Sequence, residues 1–103
     1  MANNEKIIIT IDDEDVFELI PYYLENRRNE LGVLRDAIAQ KNFEILRGFG
    51  HNMKGSGGGY GLDRISEIGG KLESDAMAQD LSAIEQGITD LGDYLDRVEV
   101  VCQ

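Results

Sequence analysis

The stretch Asn42-Phe-Glu-Ile-Leu-Arg-Gly-Phe-Gly-His51-Asn-Met-Lys-Gly-Ser-Gly-Gly-Gly-Tyr-Gly-Leu62 holds the only histidine of the chain and a density of glycine that no helix selects for stability. At about 100° per residue, Ile45, Leu46, Phe49 and Met53 fall within one narrow apolar stripe. His51 lies about 200° from Phe49 on the same wheel and so points to solvent. Arg47 and Lys54 share that outer face, one turn before and one turn after the histidine. Gly48, Gly55 and Gly58 flank it as well. Glycine in a helix interior costs about 1 kcal/mol relative to alanine, so Gly48, Gly50 and Gly55 together cost roughly 2–3 kcal/mol. A helix that accepts that cost around one imidazole leaves room for another surface to approach the ring.

The remaining chain supplies a scaffold for this helix. With 103 residues and 42% hydrophobic content, it has the size of one domain with a modest core. Asn42 is placed to cap the organising helix, with Glu44 in its first turn beside the positive dipole end. The run Gly57–Gly61 ends it, with Tyr60 returning to the core and Gly61 supplying the turn. Upstream, Asp12 and Asp13 are N-caps for a short helix to about Ile20 that turns Val16 and Leu19 inward. Pro21 then opens a second helix, whose stripe is Leu24, Leu31, Leu34 and Ile38 and which ends near Lys41. Arg27 and Arg28 interrupt that stripe. They are expected either to reach the rim and pair with acids on a neighbouring helix, or to form a specific buried ion pair. Downstream, Asp63 caps a helix carrying Ile65, Ile68, Leu72 and Ala76, in which Gly69 and Gly70 signal close packing against a neighbour. Asp80 caps the last helix, whose Leu81, Ile84, Ile88, Leu91, Leu95 and Val98 form an unbroken seam.

Lys6–Ile11 has strand composition, yet no later strand is evident to pair with it. The expectation is an extended arm whose isoleucines pack over one end of the bundle, preceded by frayed residues 1–4. The fold expected is therefore all-α: an antiparallel four-helix bundle with a short N-terminal arm and capping helix, divided into an arm over residues 1–12 and a bundle domain over 13–103.

Charge and chemistry narrow the function. Twenty acids against ten Lys plus Arg give a net charge of −10, which opposes binding to nucleic acid or anionic membranes. From Ile45 to Leu62 there is no acid, so Arg47 and Lys54 make a positive island around His51 that suits an acidic cleft or a phosphate. Cys102 is alone, consistent with a cytoplasmic, reducing setting, and no signal-peptide pattern or membrane-length apolar run is present. A metal site needs more ligands than one histidine and a remote cysteine. Ser56 lies about 140° round the helix from His51, poorly placed for a hydrolytic triad. Lys54-Gly55-Ser56 is in the wrong order and too late in its helix for a phosphate-cradling loop. A solvent-facing imidazole is a nucleophile toward phosphorus, Lys54 can steady phosphoryl oxygens, and Arg47 can assist. Phosphoryl transfer normally needs a metal, for which this chain shows no acid cluster beside His51. The chain is thus expected to bind no cofactor, with Mg²⁺ coming from the partner.

His51-Asn52-Met53-Lys54-Gly55-Ser56, followed by Gly61 and Leu62-Asp63-Arg64-Ile65, resembles the histidine-containing phosphotransfer (HPt) domain of bacterial and fungal phosphorelays. The resemblance runs from about Asp13 to Val101 and is most specific at His-x-x-Lys-Gly-Ser. It implies that His51 accepts a phosphoryl group from a receiver-domain aspartate and passes it on, as a carrier without autokinase activity. It further implies that Lys54 supports the phosphoryl group and Gly55 leaves room for the receiver, while Ser56 and Gly61 shape the helix end. Asn52 and Gly57–Gly59 match more loosely. Glu44, Arg47, Gly48, Asn52, Gly55 and Gly58 form the expected partner-binding set. The expected partners are response-regulator receiver domains and a (hybrid) sensor histidine kinase, engaged by a monomer. Three other readings share the fold: a scaffold with an incidentally exposed histidine, a docking module that binds and titrates receivers, and the phosphoacceptor domain of a chemotaxis-type kinase encoded separately.

Overall fold

The computed structural model describes residues 5–103; the expectation of fraying at residues 1–4 lies outside them. Four helices dominate: α1 (Glu14–Ala39), α2 (Phe43–Ser56), α3 (Asp63–Met77) and α4 (Leu81–Arg97). A short 3₁₀ turn, Gly58–Tyr60, separates α2 from α3. Strands β1 (Ile7–Ile11) and β2 (Val98–Cys102) flank the helices in sequence. The all-α four-helix bundle is the fold. Its core is a single cluster in which Ile20, Leu34, Leu46, Met53, Leu62, Ile65, Leu72, Ile84, Leu91 and Leu95 are fully buried. Helical seams spaced by three and four residues converge there, as amphipathic periodicity requires.

The caps are largely those the residue types demand. Asp13 accepts from the amides of Asp15 and Val16, Asn42 from that of Ile45, and Asp80 from that of Ala83. Asp63 does not cap α3. Leu62 holds the cap position, and Asp63 is the first helical residue, where its charge meets the positive dipole end. Gly61 adopts φ +77°, a left-handed conformation that glycine reaches without strain.

Several details differ from expectation. The capping helix and the first bundle helix are one continuous helix, with Pro21 inside it. Proline removes one backbone donor, yet the helix continues through it, and Phe17, Ile20, Pro21 and Leu24 line a groove together with Val100 of β2. Leu19, on the far side of that helix, is exposed rather than inward. The N-terminal arm is a strand: β1 pairs in parallel with β2, Ile7 opposite Val98 through Ile11 opposite Cys102. Val98, Val100 and Val101 are β-branched and favour extended backbone, and the last seam leaves the helix at Arg97. Ile45 is also exposed, leaving Leu46 and Met53 as the buried part of the α2 stripe.

Arg27 pairs with Glu30 on its own helix, at 2.6 and 2.8 Å, and lies 4.6 Å over the Tyr23 ring. The i,i+3 spacing brings that acid closer than any on a neighbouring helix. The pair is half-buried. Arg28 donates to the Leu95 carbonyl at 3.2 Å and lies 3.6 Å from Glu25, again on its own helix.

The feature that sets up the functional face is the crossing of α2 and α3. A Cβ added at Gly50 would lie 2.6 Å from the Glu73 amide nitrogen and 2.7 Å from the Gly69 carbonyl oxygen. One added at Gly69 would lie 2.5 Å from the Lys54 amide nitrogen. Gly50 therefore belongs to the helix seam, not to the clearing around His51. Backbone contact here brings the next turn of α3 up to the face of α2 that carries the histidine.

Candidate functional site

His51 stands on the outer face of α2 with its side chain 73% exposed. Its Nδ1 lies 2.9 Å from Oε2 of Glu73, which α3 delivers one turn beyond Gly69. An ionised carboxylate only accepts hydrogen bonds, so Nδ1 is the donor to Glu73, and in the neutral imidazole that tautomer leaves the lone pair on Nε2. Lys54 Nζ is 3.7 Å from the other oxygen of the same carboxylate. The aliphatic stem of Lys54 runs past Gly70, where an added Cβ would lie 3.6 Å from Cδ. One half-buried acid thus holds both the imidazole and the nearest ammonium. The sequence near His51 is free of acid, but the space near it is not, and the positive island is partly neutralised from α3.

Sequence reasoning missed Glu73. The usable signal was Gly69, already marked as a contact glycine: the residue four positions later lies on the same helix face and must approach whatever Gly69 touches.

An open cleft of about 530 Å³ surrounds the imidazole, lined by Arg47, Gly48, His51, Asn52, Glu73 and Met77. Gly48 and Gly55 are exposed, and an added Cβ at either would meet no atom within 4 Å. Glu44 lines a neighbouring cleft together with Arg47. Gly58 lies past the end of α2, where an added Cβ would sit 3.5 Å from Ser66 Oγ, and it lines neither cleft. Ser66 ties the helix end down, accepting from the Gly58 amide at 2.8 Å and donating to the Lys54 carbonyl at 3.0 Å. Ser56 lies 2.7 Å from the Tyr23 hydroxyl, linking the end of α2 to α1. Tyr60 stacks on the same Tyr23 ring, with centroids 4.4 Å apart.

The His51–Glu73 pair has two parts of a hydrolytic triad and lacks the third. Ser56, the only hydroxyl of α2, is engaged with Tyr23. Among the described residues no three His, Cys, Asp or Glu gather as a metal site. No described helix is long and apolar enough to cross a membrane.

These features define a class: a small helical bundle that displays one carboxylate-oriented imidazole on an open helix face, with an ammonium one turn away. The sequence model of the Hpt domain matches residues 18–100, most of the chain, and the protein belongs to the Hpt domain family. Hpt domains serve histidine phosphotransfer in phosphorelays and work with the receiver domains and kinases of two-component systems. Comparisons with curated proteins and with solved structures give no match.

Proposed function

We propose that this protein is a phosphorelay intermediate: His51 accepts a phosphoryl group from a receiver-domain aspartyl phosphate and passes it to another receiver. The observation that carries this reading is the exposed His51 ring, held through Nδ1 by Glu73 with Nε2 left free. The Nε2 lone pair forms the N–P bond as the P–O bond to the receiver aspartate breaks, and the aspartate leaves as carboxylate. The ring becomes cationic as it attacks, and Glu73 offsets that charge. Lys54 turns from Glu73 to the phosphoryl oxygens. Among the described residues no acid cluster gathers at His51, and in this reading Mg²⁺ belongs to the receiver. Return transfer reverses the same bonds, so direction is set by the partners.

Arg47, Gly48, Asn52 and Gly55 receive the partner in this reading. Glu44 and Gly58 lie farther out and act at its margin. Incubation with phosphorylated receivers from the same genome tests the proposal: acid-labile label is expected on this protein from at least one. If receivers bind but none transfers label, the docking-module reading replaces it.

Two substitutions probe the parts. Lys54→Ala removes a charge-assisted contact worth about 1.5–3 kcal/mol when made, so roughly ten- to hundredfold slower acceptance or a comparably shorter phosphohistidine lifetime is expected. Helicity by circular dichroism should be unchanged, since the exposed Lys54–Glu73 contact adds well under about 1 kcal/mol. Unaltered rate and lifetime would remove Lys54 from the mechanism. Gly55→Leu places a side chain in open space on a helix, so stability should rise by about 0.5–1 kcal/mol. The same bulk should weaken receiver binding, measured by titration calorimetry beside the melting curve. Undiminished binding would mean that the receiver does not approach over Gly55.

A further inference from the structure

Helices α2 and α3 run antiparallel, and this sets up a second rung beside the His51–Glu73 rung. Arg47 precedes His51 by one turn of α2, and Met77 follows Glu73 by one turn of α3. Arg47 and Met77 therefore face each other as His51 and Glu73 do, and both line the His51 cleft. They also line the adjoining cleft of about 430 Å³ that reaches Phe43 and Gln79. The two clefts form one furrow along the α2–α3 seam, and Arg47 and Met77 are its shared waist.

Both residues are left uncovered by the rest of the fold. Met77 is 66% exposed and stands outside the core cluster, whereas Ala76 beside it supplies the buried position of that turn. Arg47 has no hydrogen-bond or ion-pair partner among the described residues, in a chain of net charge −10. Arg47 shares that unpaired state with Arg35 and Lys41, but it alone of the three stands in the His51 cleft, next to an uncovered thioether, and so presents a mixed surface: one apolar contact and one anion-binding contact. Glu44 on the far wall limits how far an acidic partner surface can extend beyond Arg47.

We infer that the Arg47–Met77 rung selects the receiver domain. It takes a receiver surface that presents an apolar side chain to Met77 with a carboxylate beside it for Arg47. This deepens the phosphorelay reading and rests on it. Methionine suits the task because its unbranched, polarisable side chain adapts to more than one partner shape, as a carrier that meets both a donor and an acceptor requires. Arg47 adds charge complementarity, which acts on partner choice and encounter rate more than on chemistry. Met77 is a specificity residue here, not a catalytic one.

The test is phosphoryl transfer from a panel of phosphorylated receivers to the wild type, Met77→Gln, Arg47→Glu and Val33→Gln. Val33 is an exposed apolar residue of α1 outside the furrow and serves as control. Met77→Gln keeps length and helix propensity and removes the apolar contact. It is expected to raise KM for the preferred receiver by about tenfold, with the rate at saturating receiver held. Arg47→Glu should also raise KM for the preferred receiver and flatten the salt dependence of KM. Val33→Gln should match the wild type. If Met77→Gln and Arg47→Glu are labelled as the wild type is, within about twofold in KM for every receiver, the inference is overturned while the phosphorelay reading stands. If the wild type itself takes label from no receiver, the phosphorelay reading falls and this inference with it.

Discussion

His51→Gln is expected to leave the protein folded and unable to take label from any phosphorylated receiver. The imidazole has one nitrogen committed to Glu73 at 2.9 Å and one free. A glutamine amide can donate to the same carboxylate and fill similar space, but its nitrogen is not nucleophilic, because its lone pair is delocalised into the carbonyl. No substitute stands nearby: Ser56 is bonded to Tyr23, and Cys102 lies at the far end of the chain on β2. Stability should change by less than about 1 kcal/mol, because an exposed side chain with one surface contact contributes little. Filter-retained radiolabel with parallel melting curves checks both halves. Label on His51→Gln at the wild-type level would move the acceptor elsewhere and dissolve the functional reading.

Gly69→Ala should have the largest effect on stability. Its Cβ would lie 2.5 Å from the Lys54 amide nitrogen and 2.7 Å from both the Gly50 carbonyl oxygen and Met53 Cβ. Two of those neighbours are backbone, so no rotamer change relieves the clash and α2 must separate from α3. Overpacking of this kind costs about 1–3 kcal/mol or more, which exceeds the gain of about 1 kcal/mol in helix propensity. A net loss of about 2 kcal/mol lowers Tm by roughly 8–16 °C in a domain this size. Separation also withdraws Glu73 from His51, so phosphoryl acceptance should fall with Tm. Gly55→Ala, on the open face of the same seam, should move Tm the other way. A Gly69→Ala variant as stable as wild type would mean that the helices have slack at this crossing.

The contrast between these two glycines shows what could be read before folding. Gly48, Gly50, Gly55 and Gly69 all violate helix propensity, and the violation itself is visible in the chain. What each serves is not. Gly48 and Gly55 leave open space, while Gly50 and Gly69 allow backbone contact, and the difference depends on where α3 lies. The helices and most caps follow from local chemistry: an Asp or Asn side chain bonding an amide two or three residues on needs no distant partner. The departure of Val98 from the helix goes with its pairing to Ile7, at the opposite end of the chain. β1 waits for a strand 91 residues away in register (Ile7 to Val98), so its composition was readable and its partner was not.

By itself, the sequence determined the helical bundle, the outward phase of His51, the lysine one turn from it and the glycine clearing around it. These rest on the 3.6-residue period and on side-chain type, which act over a few residues. Only the tertiary structure decided that an acid attends the histidine. Glu73 reaches His51 because two glycines let α2 and α3 touch, and that contact also sets Arg47 opposite Met77. Such pairings arise between helices, where no spacing along one chain segment encodes them.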